Sequence, residues 1–109
     1  MNSETPHISF YRKHIIMCTG DKCSTPDLNV PLYEELKEKL KAQGLTQGPN
    51  RIHRSKSSCL GVCEGGPVAV IYPEGVWYHH LDSSKLERVI KEHFIEDQPV
   101  SEFVFHHLD

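Results

Sequence analysis

Four cysteines stand in two close pairs, Cys18-Thr-Gly-Asp-Lys-Cys23 and Cys59-Leu-Gly-Val-Cys63, and they are the only cysteines among 109 residues. Each pair lies in loop-forming sequence rather than in an apolar run. Four soft thiolates gathered at one place make a metal site, and the identity of the metal decides the function. A 2Fe–2S rhombus takes two thiolates on each iron, which two short tethers can supply. Such a cluster is dianionic when oxidised and more negative when reduced, so it needs backbone N–H groups close to its sulfurs. Gly20, Gly61, Gly65 and Gly66 allow that approach because no Cβ stands in the way. Lys22, Arg51, Arg54 and Lys56 lie nearby in sequence, as cations able to offset the cluster's charge or as ordinary surface residues.

Zinc is the competing ligand. Four-cysteine zinc sites usually pair their ligands at C-x2-C, up to x4, because a short knuckle bonds one ion with both sulfurs. Here the spacings are x4 and x3, with 35 residues between the pairs. Spacing favours the cluster mildly and leaves a zinc-stabilised structural or interaction module open. A disulfide framework is not expected of a cytoplasmic chain. Neither pair has the C-x-x-C spacing of dithiol oxidoreductases.

The elements that must position these residues are readable. Ser9–Met17 ends in the apolar run Ile15-Ile16-Met17, a buried strand that feeds directly into Cys18. After a loop over 18–29 comes a helix, with Asn29 as its expected N-cap, Pro31 in the first turn and Gly44 as its stop. Leu32, Leu36 and Leu40 form its apolar stripe; Glu34, Glu35, Lys37, Glu38, Lys39 and Lys41 form a solvated face, where a Glu35–Lys39 pair adds only about 0.3 kcal/mol. Arg51–Lys56 reads as a short strand leading to Cys59. Val68–Tyr72 is a buried strand, Pro73-Glu-Gly75 a hairpin turn, and Val76–His80 the returning partner. A second helix is expected from about Ser84 to Glu96, capped by Asp82 or Ser84, with Leu86, Val89, Ile90 and Phe94 on its apolar face. Val100, Phe103 and Phe105 give the tail enough apolar surface to dock on the body. The expected fold is a single α/β domain over 1–109, with a mixed central sheet flanked by helices, a core of about 9–96 and a C-terminal extension over 97–109. Both cysteine pairs follow a strand, so neighbouring strands would deliver the two loops to one end of the sheet.

Size and composition agree with a modest single core: 38% of residues are hydrophobic, 25% are charged and the formal net charge is −3. A slightly acidic chain is not expected to bind nucleic acid, whose phosphates call for a basic surface. No apolar run approaches the roughly 20 residues that span a bilayer. The segment Met1-Asn-Ser-Glu-Thr-Pro-His7 has no apolar stretch of signal-peptide type, so a cytoplasmic location is expected. No G-x-G-x-x-G or P-loop pattern points to nucleotide, nicotinamide or flavin binding. Eight histidines are present, including His79-His80 and His106-His107. Neighbours in a strand point to opposite faces, so neither pair is expected to share a metal.

The run from Met17 to Cys23, followed by Cys59-Leu-Gly-Val-Cys63-Glu-Gly-Gly-Pro-Val-Ala-Val-Ile-Tyr-Pro-Glu-Gly-Val-Trp-Tyr78, resembles the thioredoxin-like 2Fe–2S ferredoxins. The same module occurs in the small cluster-bearing subunit of NADH–quinone oxidoreductase. The similarity spans roughly His14 to His93, and its specific part is the motif from Cys59 through Tyr78. It implies a thioredoxin-like fold and one 2Fe–2S cluster per chain, ligated by Cys18, Cys23, Cys59 and Cys63. It also implies a role as an electron carrier, not an enzyme, between donor and acceptor redox proteins, and homodimers among free-standing members. The fold often places a cis-proline at a strand start, here Pro67. The x4 spacing of the first pair resembles the respiratory subunit, yet only 17 residues precede Cys18. The chain therefore reads as a free-standing ferredoxin with a short first loop, which weakens the implied homodimer.

Overall fold

The structure, a computed structural model, describes residues 6, 8, 10–20, 26–58, 60–61 and 64–108, without the side chains of Pro26 and Asp27. Cys23, Cys59, Cys63 and Lys22 lie outside the described residues. Strand β1 spans Lys13–Cys18, helix α1 Pro26–Ala42, β2 Ile52–Ser57, β3 Ala69–Tyr72, β4 Val76–Tyr78 and helix α2 Ser83–Arg88. The chain continues from α2 as a π-helical segment over Val89–Ile95, then a 3-10 turn over Ser101–Phe103 and strand β5 over Val104–His107. The five strands form one mixed sheet in the order β2-β1-β3-β4-β5. Only β1 and β2 are parallel; β3, β4 and β5 join antiparallel.

Alternation along the strands sorts the two faces of the sheet. Ile15, Met17, Ala69, Ile71, Val76 and Tyr78 form one core with Leu32, Leu36 and Leu40 of α1 and with Leu86, Val89, Ile90 and Phe94. Both helices thus cover the same face, side by side, with Lys39 3.4 Å from Glu87 across them. His14, Ile16, Val70 and Trp77 occupy the opposite face by the same alternation.

Helix α1 begins at Pro26, three residues before the expected cap. Proline suits a first helical position, where its missing N–H would be unpaired anyway, and Pro31 would only have bonded back into the first turn. Asn29 is therefore no cap. It is fully buried inside the helix. At the other end Gly44 (φ +70°) stops the helix as expected. Leu45 N–H donates to the Leu40 carbonyl and Gly44 N–H to that of Lys41, the bonding of a Schellman cap. Asp82 caps α2, accepting from the Lys85 N–H at 2.8 Å. Ser84 merely donates its hydroxyl to the same carboxylate. The second helix continues as the π segment, with Val89, Ile90, His93 and Phe94 buried.

The extension does more than dock. Its last residues add β5 to the free edge of β4, with Trp77 opposite His106, and Val100 is buried. Its peptide N–H donates to the Tyr78 hydroxyl at 3.0 Å. That hydroxyl in turn faces Nδ1 of fully buried His93 at 2.8 Å, and His93 Nε2 lies 3.0 Å from Glu74. Since the Tyr78 oxygen accepts from Val100, its proton points to Nδ1, and Nε2–H donates to the carboxylate. Glu74 also pairs with buried Lys13, which reaches Asp97 at 2.9 Å. Arg12 binds the Phe94 carbonyl beside them. This knot ties β1, the β3–β4 hairpin, the π segment and the tail together at the end of β1 remote from Cys18. Gly66–Pro67 and Tyr72–Pro73 are cis peptides.

Candidate metal centre

Parallel pairing decides where the cysteine loops begin. In the register of β1 and β2, Cys18 stands opposite Ser57, so both strands end at the same level and their loops leave from one edge of the sheet. Cys18 itself is 1% exposed, with its N–H on the Val68 carbonyl at 2.9 Å. Thr19 N–H bonds the Ser57 carbonyl at 2.8 Å. Gly20 is then pressed so closely on the second loop that a β-carbon there would lie 1.8 Å from the Ser58 carbonyl oxygen. Space, not backbone conformation, is what demands glycine at this position. The buried Asn29 amide donates to the Gly20 carbonyl at 2.6 Å, pinning the first loop to α1.

Cys18 is disulfide-bonded, and its partner lies outside the described residues. The sequence reading set disulfides aside, and the difference has a chemical reason. Sulfurs gathered at one point bond one another when oxidised and bind metal when reduced. Cys23, Cys59 and Cys63 fall among the residues whose positions are not described.

The second loop re-enters the body through Gly65, whose carbonyl accepts from His80 N–H at 2.7 Å, and Pro67, whose carbonyl accepts from Leu81 N–H at 3.1 Å. Of the cations nominated by sequence, Lys22 lies outside the described residues and the other three have aromatic partners. Arg54 lies over the Tyr33 ring of α1 at 4.3 Å and donates to the Tyr33 carbonyl, and Lys56 is 5.9 Å from the same ring. Arg51 stands before the opposite end of β2, near Tyr11. Strand alternation aims Arg54 and Lys56 at α1 instead of the loops.

The histidines also differ from expectation. Strand β4 stops at Tyr78 and His80 takes a left-handed conformation (φ +47°), so His79 and His80 turn toward each other, Nδ1 to Nδ1 at 2.6 Å. His14 and His53, neighbours across β1 and β2, meet edge to face at 4.5 Å. Burial, then the neighbouring His53, lowers the pKa of His14. Burial likewise lowers that of His93, outweighing the attraction of Glu74, and pushes Tyr78 up to about 12. Burial opposes ionisation of Glu74, but hydrogen bonds from Lys13 and His93 hold its carboxyl below the usual range. Among the described residues, no group of three or more His, Cys, Asp or Glu side chains could hold a metal. The bonds of Asn29 to Gly20 and of His80 to Gly65 escaped sequence reasoning, which read Asn29 as a cap and His80 as a strand residue.

The site fits a sulfur-ligated group on two counts. A buried cysteine, Cys18, stands at its edge, and the main chains of its two loops approach at Gly20 more closely than any side chain would allow. Comparison with known proteins agrees. The profile of the thioredoxin-like 2Fe–2S ferredoxins matches residues 9–93. A 2Fe–2S ferredoxin of Clostridium pasteurianum is 28% identical over 90 residues, covering 75% of this chain and 84% of the relative. Another from Aquifex aeolicus is 33% identical over 48 residues, 44% of this chain and 43% of the relative. The solved thioredoxin-like 2Fe–2S ferredoxin from Aquifex aeolicus superposes with a TM-score of 0.78 at 22% identity, covering 93% of this chain and 96% of that one. The arrangement of a mixed five-stranded sheet, its helices and a cysteine at the end of β1 is thus a thioredoxin-like fold, and the chain belongs to the thioredoxin-like 2Fe–2S ferredoxin family.

Proposed function

We propose that this chain is a one-electron carrier, not an enzyme by itself, holding one 2Fe–2S cluster on Cys18, Cys23, Cys59 and Cys63. The observation that carries the reading is the register of β1 and β2, which starts both cysteine loops from one end of the sheet. When bound, the cluster supplies a one-electron couple. The protein's own part is to keep that couple dry and rigid. Cys18 is buried, the Thr19 N–H and Gly20 carbonyl are tied down, and the second loop is fastened at Gly65 and Pro67. A fixed set of loop amides and restricted water set the potential of such a site.

The carrier works between a donor and an acceptor protein in the cytoplasm, in small and transient encounters. Residues 1–109 act as one domain. Anaerobically purified protein is expected to carry iron and acid-labile sulfide in equal amounts, to be coloured, and to give a paramagnetic signal on one-electron reduction. Cys59→Ala is expected to lose or weaken the cluster. A colourless protein with one zinc per chain would replace this reading with that of a zinc-stabilised module.

A further inference from the structure

The geometry points to His80 as a positioning residue for the second cysteine loop, held in place by His79; this rests on the reading of Cys63 as a ligand. Gly65, which His80 grips, is two residues beyond Cys63, at most about 7 Å along an extended chain. His80 is one of two non-glycine residues with positive φ among the described residues, in a conformation that larger side chains rarely adopt. The structure shows what the unusual turn accomplishes. It aims the His80 N–H at the Gly65 carbonyl, 2.7 Å away. It also folds the imidazole back over Gly65, with Cε1 3.5 Å from where a β-carbon on that glycine would stand.

The clamp is itself held from two sides, by His79 and by α2. His79 Nδ1 meets His80 Nδ1 at 2.6 Å and fixes the ring. His79 is seated on the extension, its N–H on the Phe103 carbonyl at 3.3 Å and its ring against that of Phe105 at 5.5 Å. From α2, Lys85 Nζ donates to the His80 carbonyl at 3.0 Å. A contiguous line thus runs from β5 through His79 and His80 to the exit of the second cysteine pair. Its work is to hold the loop's main chain in register with the sulfurs. Residues that orient ligands in this way typically change metal affinity 10–100-fold when removed.

The test uses the full chain reconstituted with iron and sulfide. His80→Gly keeps the left-handed turn and both backbone bonds but removes the ring. His79→Gln keeps the backbone and removes the imidazole that fixes that ring. Both variants are expected to release iron to a chelator about tenfold faster than wild type, with shifted g-values of the reduced cluster and unchanged far-ultraviolet circular dichroism. Wild-type release rates and g-values in both variants would overturn the assignment, as would a change confined to overall folding. Wild-type protein is assayed first. If it takes up no iron and sulfide, the carrier reading fails and this one falls with it, whereas an iron-replete wild type with indifferent variants refutes His80 alone.

Discussion

Gly20→Ala tests whether the close approach of the two loops makes the site. The added methyl carbon would stand 1.8 Å from the Ser58 carbonyl oxygen, where real contacts keep at least 3.0 Å. The obstacle is backbone, so no side-chain rotation relieves it, and the loops must part by more than 1 Å. Overpacking of this kind costs about 1–3 kcal/mol. Moving Gly20 also breaks the 2.6 Å bond from the Asn29 amide, on a residue with no exposure to water. Orphaning that donor adds about 1–3 kcal/mol. The total, about 2–6 kcal/mol, is a large part of the 5–15 kcal/mol that holds a domain together. Thermal unfolding followed by circular dichroism should fall by about 10 °C or more, and iron content after reconstitution should drop with it. Unfolding within about 3 °C of wild type together with full iron loading would refute the argument that contact between the loops requires glycine here.

Tyr78→Phe removes both the donor to His93 and the acceptor for Val100; two buried groups lose their partner, and urea titration should show a loss of about 2–4 kcal/mol. Stability should also fall with acid. His93 is depressed by burial, so its contribution is complete above its unfolded pKa near 6.5 and is lost as pH drops from there through the folded value. The lowered carboxyl of Glu74 adds a loss of the same sign below its unfolded pKa. In His93→Gln the fall in melting temperature between pH 7 and 5 should flatten, apart from what His14 and His79, also lowered, contribute. Ending the chain after Phe103 removes β5, and with it the Phe105 and His106 rings beside Trp77; tryptophan fluorescence should shift to the red and the unfolding temperature should fall.

The order of elements was legible because its signals are local. Ile15-Ile16-Met17 before Cys18, the leucine stripe of α1 and the Pro73–Gly75 turn each act over a few residues. The start of α1 was misplaced because Asn29 and Pro31 look like a cap and a first turn. What outweighs that pattern is tertiary: the Asn29 amide has a partner at Gly20, nine residues back in the chain. Strand β5 was not legible because Val104–His107 becomes a strand only against the free edge of β4. The meeting of His79 and His80 escaped because alternation applies inside a strand, and β4 ends one residue earlier. The directions of Arg54 and Lys56 follow from register, which spacing alone does not contain. The motif from Cys59 through Tyr78 carried the family, while three of the chain's four cysteines lie outside the described residues.

Strand β1 is a strut loaded differently at its two ends. Lys13, at one end, sits in the knot of Glu74, His93, Tyr78 and Asp97, while Cys18 at the other opens into the loops. Stability is therefore graded along a single strand. Amide exchange should be slowest near Lys13 and Ile15 and should quicken toward Thr19 and Gly20. Exchange at Lys13 and Ile15 should stay slow whether or not iron and sulfide are bound at the other end of the strand.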